Sequence, residues 1–358
     1  MKVKIFIFVG FLLLLTINVH AVGEEQKEQM QSSISSQTEK TLNNFGIEKV
    51  DDIESAGFSK IFSGTFNIVK DSYKEPIKLF ALLTGIAVLS SLYNLFVSNK
   101  QNDFSILAGM LCAGTVITAG ISDKIEQISL MLNEGGNFIG TFVPVMGAVT
   151  AAGGYTITAT AYNILLLFSS NVVSYSSSGI VASLLGCYLA VSLVSSFNNE
   201  LNLSGFANGI KQVAIWGLGI ISTVFVAILS LEGLAGKAAD SVALKTAKFA
   251  LNSAIPIVGT ALSDAVASLE GSIGILRASV GTFGIIVGLA IALPTVINVI
   301  LTKLAIEGAG VAAQMLGAKK IAELYKNMGS VMTVLIALVA FFFLVLLVST
   351  TVVLLICS

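Results

Sequence analysis

Residues 231–271 read LEGLAGKAADSVALKTAKFALNSAIPIVGTALSDAVASLEG, the longest charged interval between the later apolar runs of membrane length. On a helix, Lys237, Ser241, Lys245, Lys248 and Asn252 recur every three or four residues, which keeps them on one face. Ala235, Ala238, Ala239, Val242, Thr246, Phe249 and Ala250 take the other face, small near the start and aromatic near the end. Asp240 is close enough to Lys237 or Lys245 to pair with either. Pro256 disfavours helical geometry at Ile255 and supplies no backbone donor, so the helix is expected to end before it. Gly259 then allows a turn, and Leu262, Val266 and Leu269 begin a second helical face. The pattern predicts a helix–break–helix between membrane spans.

Apolar runs surround this interval. Residues 77–97, 104–121, 180–197, 210–230, 280–301 and 331–356 each read as a span with no charge at its centre. Asp103, closing the polar SNKQND, is the expected N-cap of the second, and residues 122–137 form a polar, helix-compatible link. Residues 138–170 would make a straight helix of roughly 50 Å against a hydrocarbon core of about 30 Å, so one span plus a broken or re-entrant piece is expected, with the break at Gly153-Gly154. That gives seven spans, the mature N-terminus outside and the C-terminus inside. Lysine placement does not arbitrate. Lys237, Lys245, Lys248 and Arg277 on one side balance Lys303, Lys319, Lys320 and Lys326 on the other.

Composition agrees with this plan. Of 358 residues, 55% are hydrophobic and only 11% charged, where soluble domains carry about a quarter. The expected fold class is all-α, a polytopic integral membrane helical bundle. A net charge of −1 and a single arginine, Arg277, give no field or phosphate clamps for nucleic acid. Cys112, Cys187 and Cys357 lie in apolar runs without CxxC spacing and read as small apolar residues.

Residues 1–21 have the lysines, apolar core and Val19-His20-Ala21 ending of a cleaved signal peptide. Cleavage would remove the chain's one histidine and with it the commonest general base. Residues 22–76 are a polar extracytoplasmic segment, and the multi-span domain occupies 77–358. EEQKEQMQSSISSQTEK reads as disordered or a frayed helix, whereas Phe58, Ile61, Phe62, Phe66 and Val69 make an amphipathic stripe for the bilayer surface or a partner. Gly136–Gly140, Gly205–Gly209 and Gly284–Gly288 are spaced for close helix packing, within the bundle or in self-association.

Catalytic patterns fail one by one. Gly236-Lys237 is no phosphate loop, because Leu231 stands where the earlier glycine belongs and Ala238 where Ser or Thr belongs. The paired carboxylates Asp51 and Asp52 lack an apolar frame for a pocket. No enzyme, metal or cofactor is expected. The motif residues Lys237, Asp240, Lys245, Lys248, Pro256, Gly259 and Asp264 instead belong to a packed connector, a re-entrant element lining a polar path, or a docking face for another subunit. Asp264 has no cation within four residues, so it is expected to need water or an outside partner, and its loss to matter more than that of Asp240.

The run ADSVALKTAKFALNSAIPIVGTALSDAV, residues 239–266, resembles the best-marked segment of the stage III sporulation protein AE family, polytopic membrane proteins of endospore-forming bacteria. The order of signal peptide, polar segment and spans is similar too, while GAGVAAQMLGAKK at 308–320 departs in its Gly and Ala content. The resemblance implies a non-enzymatic subunit of the multiprotein channel joining mother cell and forespore. Its place would be the mother-cell membrane around the forespore, with other membrane subunits and the lipid bilayer as partners. The alternative is an independent permease for a small molecule or ion, stable alone and binding a solute.

Overall fold

A computed structural model describes residues 34–47, 58–96, 99–175, 181–197, 203–254 and 259–356. The signal peptide, Asp51-Asp52 and the Pro256 break lie outside them. Among the described residues there are nine helices and no strand: α1 (Ser36–Asn44), α2 (Phe58–Ser72), α3 (Lys74–Phe96), α4 (Asn99–Ala152), α5 (Thr156–Tyr175), α6 (Val181–Phe197), α7 (Leu203–Ala254), α8 (Gly259–Met315) and α9 (Lys319–Ile356). The all-α class holds. Five helical stretches, Lys60–Tyr93, Ile106–Ala152, Gly205–Ala250, Val266–Met315 and Lys319–Val348, are long and apolar enough to cross a membrane.

Three glycines end helices. Gly46, Gly154 and Gly317 have φ of 73°, 88° and 80°, a left-handed geometry that only glycine adopts without strain. At each, the next residue donates its N–H back five positions: Ile47 to Leu42, Tyr155 to Thr150, and Ala318 to Ala313. These are Schellman turns, which satisfy carbonyls that the helix end leaves free. The other glycines of GAGVAAQMLGAKK stay helical, so the stretch between the expected spans 280–301 and 331–356 is a helix, one tight turn and a second helix.

Continuity is the main departure from the sequence reading. Residues 104–121, 122–137 and 138–152 all lie on α4, so two runs expected as separate spans share one helix. The helix runs through Gly135-Gly136 in the polar link and through Pro144 as well. Asp103 falls inside α4 and is not its N-cap. In the same way residues 210–254 form one helix with the first half of the motif. Ser36–Lys40, read as disordered or frayed, begin α1. Ser35 caps that helix by accepting from the N–H of Thr38 at 3.2 Å.

The core follows α9. Ile321, Leu324, Tyr325, Met328, Met332, Leu335, Val339, Phe342 and Leu346 recur at helical spacing and are buried. Tyr325, wholly buried, donates its hydroxyl to the carbonyl of Leu83 on α3 at 2.9 Å. Close contacts along α4 and α8 run in opposite directions. Phe142 lies over Gly284, and further along Thr150 meets Arg277. The Gly284–Gly288 pair is thus packed inside the bundle, against Phe142 and Leu346, whereas Gly205 and Gly209 on α7 face open space.

Along α4 two apolar layers, at residues 104–121 and 138–152, belong to one continuous core and are joined through buried Ile128, Met131 and Leu132. Ala113, Ile117 and Ile121 are buried in one, and Phe138, Phe142 and Met146 in the other. The polar stretch with Lys124, Gln127 and Glu134 lies between them. Both layers present apolar side chains outward. Ile77, Leu82 and Leu89 of α3 are exposed beside the first, and Val224, Leu231, Val242 and Phe249 of α7 beside the second. On α2 the stripe splits. Ile61 and Val69 pack on the core, while Phe62 and Phe66 are exposed.

The packed glycine gives a test. A Cβ on Gly284 would sit 2.4 Å from Cζ of Phe142, whose buried ring stacks on Phe138. Gly284→Val should lower stability by about 1–3 kcal/mol through overpacking. Gly205→Val, with nothing within 4 Å, should leave the melting temperature of the detergent-solubilised protein nearly unchanged. Equal losses in both variants would contradict this packing.

Candidate functional site

The break between α4 and α5 leaves two helix ends face to face among apolar helices. A helix start exposes N–H groups carrying partial positive charge, and a helix end exposes carbonyls carrying partial negative charge. Each end receives the matching side chain from the motif helices. Asp240 of α7, 1% exposed, accepts the N–H of Ile157 at 3.0 Å and of Thr158 at 2.8 Å, both in the first turn of α5. Arg277 of α8, 3% exposed, approaches the carbonyl of Thr150 in the last turn of α4 at 3.5 Å.

Tyr155, between the two ends, extends the junction. Its ring lies under the Arg277 guanidinium, 5.0 Å from ring centre to Cζ, within cation–π range. Its hydroxyl donates to Oε1 of Glu270 on α8 at 3.2 Å. The other oxygen of Glu270 accepts from Nζ of Lys248 on α7 at 2.8 Å. A polar chain therefore passes from Arg277 through Tyr155 and Glu270 to Lys248, tying α7 to α8 across the helix break.

Small residues permit the approach. A Cβ on Gly236 would meet Oγ1 of Thr158 at 2.9 Å, and one on Gly154 would meet Leu244 at 2.7 Å. Gly236, Asp240, Leu244 and Lys248 are four residues apart, so one stripe of α7 faces the junction. That stripe is offset by one residue from the lysine stripe read in the sequence. The opposite apolar face is turned outward, with Val242 65% and Phe249 73% exposed.

The motif residues separate accordingly. Asp240 and Lys248 enter the junction. Asp240 has backbone amides as its partners rather than Lys237 or Lys245. Lys237 is half-buried and Lys245 exposed. Gly259 is the first residue of α8, Pro256 lies outside the described residues, and Asp264 is exposed. Sequence reasoning noted Gly153-Gly154 and Arg277 but did not join them to the motif, and it missed Tyr155, Thr158 and Glu270. One signal was available: a lone arginine in a chain this poor in charge, just past the motif. The arrangement neutralises helix ends and orients helices. Among the described residues no group of His, Cys, Asp and Glu is gathered to hold a metal.

Comparisons with known proteins agree with the motif. A family model described as stage III sporulation protein AE matches residues 37–357. The curated stage III sporulation protein AE of Bacillus subtilis (strain 168) is 25% identical over 236 residues, 65% of this chain and 58% of that relative. The matched region thus spans less than two thirds of the relative's length. No solved structure matches.

For the stability of the single chain, the geometry gives Asp240 more weight than Asp264. Asp240→Asn keeps one acceptor oxygen but turns an amide donor toward the other N–H. Breaking one charge-assisted bond should cost about 2 kcal/mol. Asp264→Leu, on an exposed site, should leave stability within about 0.5 kcal/mol. Thermal unfolding of the two variants in detergent measures both, and a destabilised Asp264→Leu beside an unchanged Asp240→Asn would refute the assignment.

Proposed function

The chain belongs to the stage III sporulation protein AE family, and from that membership we propose that it is a non-enzymatic subunit of the channel complex linking mother cell and forespore. A sporulation role follows from the family, and the five apolar helices make the protein multi-pass. Its place in the mother-cell membrane around the forespore, and its association with other membrane subunits, are part of the proposal. So is the sidedness, with residues 22–76 extracytoplasmic and the spans within 77–358.

One observation supports an assembly subunit over an independent permease. The two apolar runs along α4, residues 104–121 and 138–152, have centres about 50 Å apart at 1.5 Å per residue. A hydrocarbon core of about 30 Å covers one of them. Both expose large apolar side chains, so whichever layer meets lipid, the other calls for protein. A permease stable by itself would bury that second surface. In α7 only 6% of the most apolar window is buried within the chain, which makes its outer face the best-placed contact. On this reading Lys237 and Lys245 are surface cations beside the contact, and the junction at Asp240 holds α7 in position.

Photo-crosslinking amino acids placed at Val242 and at Ile77, one for each layer, test the reading in sporulating cells. At least one position should give a discrete adduct with another protein chain, and that chain should co-purify in mild detergent. Lipid adducts alone at both positions, from a protein that purifies as a stable single chain, would favour the permease.

A further inference from the structure

Beneath α1 the polar stretch between the layers opens a cleft of about 270 Å³, distant along α4 from the Asp240 junction. Its walls include Thr38 of α1, Glu134 of α4, and Ala290, Pro294, Thr295 and Asn298 of α8. The rest of the lining is neutral, with Gln37, Ser72 and Gln127 beside apolar Leu130, Met131 and Ile291. Glu134 carries the formal negative charge, and its hydrogen bonds come from the N–H of Ser35 at 3.2 Å and the hydroxyl of Thr38 at 2.5 Å. Neither donor is charged, and no ion pair of Glu134 occurs among the described residues. Pro294 has no N–H to give the carbonyl of Ala290 one helical turn back, so that oxygen loses its usual helix donor. The Oδ1 of Asn298 is buried and accepts no hydrogen bond.

Acceptors crowded into a partly enclosed space around a single carboxylate are unfavourable without a positive partner. We propose that this cleft binds a small monovalent cation, an alkali metal ion or a primary ammonium, held by Glu134 with neutral oxygens from α8. Charge selects against a divalent ion. A calcium site gathers several carboxylates, and here there is one. Lys124 is not among the lining residues; its Nζ lies 3.4 Å from Oε1 of Gln127 and 4.0 Å from Glu75. Because Glu134 holds Ser35 and Thr38 as well, an ion there would stiffen the attachment of the N-terminal segment to the bundle.

The test uses the full-length protein in detergent and does not depend on the channel proposal. Melting temperatures are compared in sodium, potassium, methylammonium and choline chloride at equal ionic strength. The methyl shell of choline keeps its charge away from a carboxylate oxygen. At least one small cation should raise the melting temperature by about 3–5 °C over choline, and the one that does names the ligand. Glu134→Gln should abolish this increment, whatever it does to the baseline. Asn298→Leu leaves the contacts to Ser35 and Thr38 in place and should reduce the increment at least twofold. No difference among the four salts, or an increment unchanged in both variants, would overturn the proposal. So would a larger rise with calcium chloride.

Discussion

Two N–H groups at the start of α5 and the carboxylate of Asp240 hold the organisation together. A helix that stops among apolar neighbours leaves backbone donors and acceptors that water cannot reach, and each orphaned group costs on the order of a kilocalorie or more. At the α4–α5 break the Asp240 carboxylate satisfies the donors of the helix start, while at the helix end the Schellman turn already holds the Thr150 carbonyl and the Arg277 guanidinium adds a charge of matching sign. Asp240 and Arg277 sit on different helices, so meeting this demand also fixes where α7 and α8 must lie. The fold of the motif follows from closing a gap in the backbone elsewhere in the chain.

The rest of the junction contributes direction more than energy. Lys248 and Glu270 form a 2.8 Å ion pair, but their side chains remain 29% and 27% exposed. Pairs with that much contact with solvent add little stability. What the pair does is set the rotation of α7 about its axis. With Lys248, Asp240 and Gly236 turned inward, Val242 and Phe249 have to point out. One face of this helix thus turns Asp240 and Lys248 inward while large apolar side chains stand outside, beside the exposed Glu232 and Lys245. Such a helix needs an apolar environment along its outer face.

Much of the fold was legible in the sequence because the signals were local. Charge-free runs marked helices, and Gly153-Gly154 marked a break because two glycines interrupt an apolar run too long for one span. Helix length was misjudged for a physical reason. Polarity was read as an end to a span, yet residues 122–137 are mostly good helix formers, and α4 continues through them, Gly135-Gly136 included. The site was half legible. The spacing of Asp240 and Lys248 showed a shared face, but their partners, Tyr155, Thr158, Glu270 and Arg277, are set by tertiary packing. Asp264 is exposed in the single chain, which is compatible with the water or outside partner expected for an unpaired carboxylate.

The polar stretch of α4 matters for the same reason that it was misread. A helix carrying two apolar runs in series has to place whatever lies between them at the boundary of two environments. Lys124, Gln127 and Glu134 occupy that boundary, and each finds a polar contact there: Glu75 at 4.0 Å and Gln127 for Lys124, Ser35 and Thr38 for Glu134. α1 and the end of α2 contribute to the cleft at this belt, through Thr38 and Ser72. The polar N-terminal segment thus has a physical reason to dock there: it supplies donors that an apolar helix could not. Docking in turn covers Glu134, which narrows what can reach it from bulk water to small polar species. A segment that would otherwise be a solvated leader becomes a structural part of the bundle, attached where the two apolar layers meet.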